Sequence, residues 1–243
     1  MGAPELRFYR DYSSSNEGGA AFRAAVETTD LFIRAERSLE KEAIKEIKEA
    51  RALIEREVAE VPDFLTSLKP LKEREDAGTL VRSMYRAGVL AGTGPMAAVA
   101  GAVAGYVGKK LRKRSDWVLV ENGGDLYLDT GCVTNVGLWA GLSPFSGKLA
   151  FKVDATTRPV GVCTSSGTVG PSLSFGRADA ATVLSHDVAL ADAVATALGN
   201  RIKTPSQLEA GVDWALSIDG VFGAIAVMGG RLALRGDLEL EKL

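Results

Sequence analysis

The clearest periodic pattern in the chain runs from Leu39 to Val61. Leu39, Ala43, Ile47, Ala50, Ile54 and Val61 recur at three-and-four spacing, and Ile44, Leu53 and Val58 widen the stripe. That period predicts a helix with one apolar face, which Pro62 stops. Ser38 stands where a cap belongs, and Glu40 and Glu42 face the positive end of the helix dipole. Upstream, "AAFRAAVETTDLFIRAE" alternates in two short runs around polar residues, which predicts a hairpin turning near Thr28 to Asp30.

Downstream, "LKPLKEREDAG" reads as a loop, and Gly92, Gly94 and Pro95 introduce the apolar run Pro95 to Gly108, "PMAAVAGAVAGYVG". Pro95 suits a first helical position. The run is too short for a membrane span, so it predicts a buried helix, with Gly101 and Gly105 on one face where a neighbour approaches closely. "WVLVENGGDLYLD" predicts strands at Trp117 to Val120 and Leu126 to Leu128 around a turn at Glu121 to Asp125, with Gly123 and Gly124 at positive φ. Further strands are expected around Val133 to Leu138, Leu149 to Val153, Gly161 to Cys163 and Ala181 to Leu184. "HDVALADAVATALGN" reads as a helix closed by Gly199, and "TPSQLEAGVDWALSI" as one opened by a Thr204–Gln207 capping box with Pro205 in the first turn. Terminal strand signals flank a two-residue turn at Gly229 and Gly230. Strands and helices alternate irregularly, which predicts a single α+β domain over residues 1–243 built of mixed layers.

Composition narrows the function classes. Twenty-nine basic against 31 acidic residues leave a net charge of -2, which argues against a broad nucleic-acid footprint. The basic cluster "KKLRKR", Lys109 to Arg114, reads as a solvated helix end. Cys132 and Cys163 form no CxxC pair, so neither a structural zinc framework nor a disulfide scaffold is expected. "MGAPELRFYR" has no apolar core of signal-peptide length, and Leu6 occupies the place where a myristoylation motif has Ser or Thr. The expectation is a cytoplasmic protein without membrane or nucleic-acid partners. The packing faces of the long amphipathic helix and the Gly-rich helix make it a candidate homodimer.

Three polar clusters interrupt the apolar scaffold: Glu121 to Asp125, Cys163 to Thr168, and Asp192 with Thr196. Asp192 and Thr196 lie one helical turn apart, so a carboxylate and a hydroxyl share a face, a pair that suits Mg²⁺. The alternative is that Asp192 caps a neighbouring loop while Thr196 bonds back to its own helix. Successive backbone N–H groups in "TSSG", Thr164 to Gly167, can cradle a diphosphate. Cys163 beside such N–H groups and a cation would have a lowered pKa and be nucleophilic; the alternative is a small buried residue at a strand end.

The succession "ENGGD", "TSSG", "ADAATVLS" and "ADAVATAL" resembles the ApbE-like superfamily, whose best-known members are Mg²⁺-dependent transferases moving FMN from FAD to a protein threonine. The chain is more similar still to a branch of unknown function, through "DLFIRAE", "GPMAAVAGA", "ENGGD", "CTSSGTVGPSLSFGRADA" and "ADAVATALGN" in this order. The resemblance spans roughly residues 25–200 and implies an ApbE-like, T-fold-like arrangement of antiparallel sheet and helices. It implies Mg²⁺ at Asp192 and Thr196, and a flavin (FAD or FMN) or other nucleotide diphosphate at Asn122, Gly123, Gly124, Asp125, Thr164, Ser165, Ser166 and Gly167. The transferases follow their loop with a histidine and an Asp-Pro segment, which "PSLSFGRADA" lacks, and Pro95 to Gly108 lacks their lysine. Archaeal members of the branch are associated with sulfide assimilation, which implies a second reading: a sulfur-handling protein with Cys163 as thiolate or persulfide carrier. A ligand-binding module without chemistry is the third.

Overall fold

The computed structural model describes residues 19–167, 176–236 and 238–243. Eleven strands are described: β1 Ala20–Val26, β2 Thr29–Ala35, β3 Val118–Asn122, β4 Asp125–Asp129, β5 Val133–Gly137, β6 Leu149–Asp154, β7 Val160–Ser165, β8 Ala180–Ser185, β9 Val221–Met228, β10 Arg231–Gly236 and β11 Leu240–Lys242. The helices are α1 Glu40–Glu60, α2 Asp63–Thr66, α3 Thr79–Ala91, α4 Val99–Leu111, α5 Val188–Arg201 and α6 Leu208–Leu216. An eight-stranded antiparallel sheet runs β1-β2-β3-β4-β7-β8-β9-β10, and a second sheet runs β11-β6-β5.

Strand alternation divides the core in two. On β3, Val118 and Val120 join the cluster that includes Ile47, Val103, Val194 and Val212 from the helices. Leu119, between them, points the other way into a cluster with Leu128, Phe151, Val153 and Ile225. The large sheet is therefore the middle layer, with helices on one face and the small sheet on the other, each face taking every second residue.

The periodic reading of α1 holds: Ala43, Ile47, Ala50 and Ile54 are buried and the helix ends before Pro62. Its cap does not. The helix starts after Leu39, and no side chain caps it, so Ser38 plays no such part. Glu57 continues the buried stripe at a position where a carboxylate is costly; the Tyr85 hydroxyl donates to it at 2.6 Å. Burial, with the same bond, pushes the Tyr85 phenol above its ordinary range.

The β1–β2 turn lies at Glu27 and Thr28, slightly earlier than the alternation implies, because Thr29 and Asp30 pair in the ladder. The β3–β4 hairpin is tighter than expected: Gly123 and Gly124, at φ 66° and 110°, are its whole turn, with Asn122 and Asp125 paired as the last rung. Helix α5 does not end at Gly199. It runs to Arg201 with Gly199 buried inside it; the glycine this contact requires is Gly176, where an added Cβ would run into the Gly199 carbonyl. The Thr204–Gln207 capping box is present before α6. Helix α3 has no counterpart among the expected elements. Among the described residues no single helix is long and apolar enough to cross a membrane.

Candidate functional site

Asn122, Asp125, Cys163 and Asp192, from all three polar clusters, are brought to one place, the first turn of α4 on the helix side of the large sheet. That face of β3, β4 and β7 carries every second residue: Asn122, Asp125, Cys163 and Ser165. The Asn122 amide donates to the Ala100 carbonyl at 3.0 Å. Asp192, on α5, accepts the Gly101 N–H at 2.8 Å through Oδ2. The opening turn of α4 is thus held from both sides, by β3 and by α5.

Glycine makes this proximity possible. A methyl group at Gly101 would stand 2.5 Å from the Val188 carbonyl oxygen and 2.7 Å from Asp192 Cβ. One at Gly161 would stand 2.7 Å from Val188 Cα. The four-residue spacing of Gly101 and Gly105 marks, as expected, the face along which α5 crosses α4.

Two carboxylates are buried here, Asp125 at 7 % exposure and Asp192 at 8 %. Burial raises the pKa of Asp192 to about 7, against the lowering by the N–H groups of Gly101 and Ala100. Burial raises Asp125 well above the carboxylate range, and the nearby charge of Asp192 adds to it, while the Cys163 thiol and the Thr164 N–H act in the opposite direction. Two carboxylates that resist ionisation together form a region of unmet negative charge whenever both are deprotonated. Glu121 is also buried and accepts the Gly124 N–H at 3.1 Å, bracing the glycine turn; its role there was not apparent from the sequence.

Thr196 lies one turn after Asp192, and Gly199, further along the same face, comes within contact distance of Ser165. That places Thr196 between the carboxylates and the end of β7. Thr164 turns its side chain away from the site. Its hydroxyl points to the opposite face of the sheet and meets the Thr182 hydroxyl at 2.9 Å, so only its backbone faces the site. Ser165 and Ser166 are half-buried, and Gly167 donates its N–H to the Ala178 carbonyl. Thr168 and the Pro171–Phe175 part of the neighbouring motif lie outside the described residues.

Cys163 is fully buried, and its thiol meets the Val188 carbonyl at 3.5 Å. Burial drives its pKa well up, and the charges of Asp125 and Asp192 drive it further. Without a cation beside it, the thiol sits under two carboxylates, and its surroundings favour the expected alternative, a buried residue at a strand end. Both cysteines are free.

Among the described residues no group of three or more His, Cys, Asp and Glu side chains could hold a metal. Mg²⁺ fits the two carboxylates, since it takes one or two and completes its shell with water and substrate phosphate.

Comparison with known proteins places this fold. The flavinyl transferase ApbE of Pseudomonas stutzeri in its apo form superposes with a TM-score of 0.59 over 89 % of this chain and 94 % of that one, at 14 % identity. The flavin transferase ApbE of Vibrio cholerae superposes at 0.58 over 89 % and 96 %, at 12 % identity. The fold is thus the α+β fold of the ApbE flavin transferases. The family model described as "AbpE bacteria" matches residues 12–232, and the chain belongs to that family. Among its relatives are the UPF0280 proteins of Methanocella arvoryzae, 42 % identical over 79 % of this chain and 78 % of the relative, and of Methanoculleus marisnigri, 44 % identical over 78 % and 76 %.

Proposed function

We propose that the protein binds a flavin or another nucleotide diphosphate together with Mg²⁺ at the head of α4. The observation that carries this reading is the convergence of Asp125 and Asp192, two buried carboxylates with raised pKa, beside the glycine turn of β3–β4 and the end of β7. The likeness to flavin transferases supports the choice of ligand. Asp192, with Thr196 on the same face, would hold the magnesium, and Asp125 stands next to it. When bound, the ion supplies positive charge that offsets the carboxylates and a diphosphate. Asn122, Gly123 and Gly124 wall the ligand on one side, and the Thr164 backbone with Ser165, Ser166 and Gly167 walls it on the other.

The reading stops at binding. The run "PSLSFGRADA" holds neither histidine nor Asp-Pro, and the one histidine, His186, is engaged elsewhere, with Nδ1 at 2.7 Å from the Pro159 carbonyl and its ring on Phe222. Cys163, buried beneath Asp125, has the place of a packing and hydrogen-bonding residue. Calorimetric titration of FAD, FMN, ADP and ATP, with and without magnesium, tests the proposal. At least one is expected to bind with magnesium-dependent affinity that Asp192→Asn reduces. No binding by any of them, or an affinity unchanged in Asp192→Asn, would sink it.

A further inference from the structure

At the other end of α5 an open groove of about 580 Å³ lies between the β9–β10 hairpin and the approach to α6. Arg177 and Arg231 line it together with the apolar side chains of Met228 and Pro205. Several arginines among the described residues are matched: Arg23, Arg51, Arg74 and Arg235 each pair with a carboxylate. Arg177 and Arg231 have no such pair among the described residues, although both are exposed and Asp179 lines the same groove. The Asp179 carboxylate is committed to the hairpin, accepting the Gly229 N–H at 2.6 Å.

Both arginines stand on fixed backbone. Arg177 donates its N–H to the Ile202 carbonyl at 2.9 Å, and Asp179 donates to Val227 at 2.8 Å, so the segment is pinned between α5 and β9. Arg231 opens β10 opposite Met228, and the hairpin turn is also held from outside by the Ser143 hydroxyl, 2.8 Å from the Gly229 carbonyl. Two guanidinium forks on rigid supports, against one carboxylate already engaged, make a net positive recess suited to bidentate contacts with phosphate oxygens.

We infer that the Arg177–Arg231 groove is a second ligand site, separate from the one at Asp192, that takes the phosphate or diphosphate group of a small molecule. From Asp192 to Ile202 the helix rises about 15 Å, so an anion in the groove does not reach the Asp192 carboxylate, although the Gly167 end of the first site's wall packs against the Arg177 backbone. Met228 and Pro205 offer apolar contact to the uncharged body of such a ligand.

The test is calorimetric titration of pyrophosphate into the full chain in metal-free, low-salt buffer. Saturable binding is expected for the wild type and for Asp192→Asn. Arg177→Gln or Arg231→Gln should weaken it roughly tenfold or more, the scale of a lost charge-assisted contact. The double Lys variant, R177K/R231K, keeps the charge without the fork and should fall between the wild type and R177Q/R231Q. Both side chains are exposed and unpaired, so melting temperatures should stay unchanged. Absence of saturable binding by the wild type, or equal affinity in R177Q/R231Q, overturns the inference. So does binding lost in Asp192→Asn but kept in the arginine variants. Competition by acetate as strong as by phosphate would overturn the assignment to a phosphate group.

Discussion

Replacing Gly101 by alanine should separate α4 from α5, and replacing Gly105 should not. At Gly101 the added methyl meets a backbone oxygen at 2.5 Å and Asp192 Cβ at 2.7 Å, and neither can move without shifting α5. At Gly105 the nearest atom is Val188 Cγ2, at 3.3 Å, the end of a side chain that can give by a few tenths of an ångström. Overpacking a close contact costs about 1–3 kcal/mol. Forcing the helices apart also weakens the Gly101 N–H bond to Asp192, and bonds to charged groups contribute about 1.5–3 kcal/mol. Alanine returns up to about 1 kcal/mol of helix propensity at either position. Gly101→Ala should thus be less stable by about 2–4 kcal/mol, and Gly105→Ala should lie within about 1 kcal/mol of the wild type. For a chain of this size that is a fall in Tm of about 5–15 °C for Gly101→Ala. Thermal melts followed by circular dichroism decide it. Gly101→Ala melting within about 2 °C of the wild type, or Gly105→Ala melting lower than Gly101→Ala, would refute the close-approach argument.

Other consequences are open to simple measurement. Iodoacetamide should label half-buried Cys132 in the folded protein and reach fully buried Cys163 only after unfolding; comparable native rates at both cysteines would contradict the burial. Because the folded-state pKa of Asp192 is raised to about 7, its contribution is full below the unfolded carboxylate pKa and is lost as pH climbs through 7. In metal-free buffer about 2–3 kcal/mol should therefore be lost between pH 5 and 7. Asp192→Asn should flatten that slope and millimolar magnesium should offset it; an identical slope in Asp192→Asn would show that the buried carboxylate is not its source.

The sequence revealed elements where a period was long or a turn was marked. The stripe of α1, the Gly123–Gly124 and Gly229–Gly230 hairpins and the Thr204–Gln207 capping box each depend on local chemistry. Helix α3 was hidden because nothing in its first turn caps it: Gly78 precedes it without a side-chain bond. Gly199 misled for a related reason. A glycine near a helix end favours a left-handed cap, but here Gly199 stays inside α5, packed against Ser165 and Ala181, and its carbonyl accepts the Ile202 N–H that closes the last turn. The site was legible as residue types and not as directions. Alternation along β7 sends Cys163 and Ser165 to one face and Thr164 to the other, and only the ladder register with β4 and β8 fixes which. The charges around the Cys163 thiol were not legible either, because Asp125 and Asp192 arrive from different elements.

The two readings of Asp192, cap and metal ligand, describe compatible uses of one side chain. A carboxylate has two oxygens, and Oδ2 accepts the Gly101 N–H at the positive end of α4. Such a bond fixes the plane of the group, as hydrogen bonds behind a metal ligand usually do. It does not remove the electrostatic problem, since Asp125 and Asp192 remain buried near one another with pKa values raised and not lowered. A cap that served stability alone would be better placed where its charge reached water. Burying it beside a second carboxylate, with glycine at Gly101 and Gly161 to permit the approach, makes sense if a cation and a phosphate complete the site. The magnesium dependence of the pH slope is therefore the measurement that separates a cap that only stabilises α4 from one that also holds an ion.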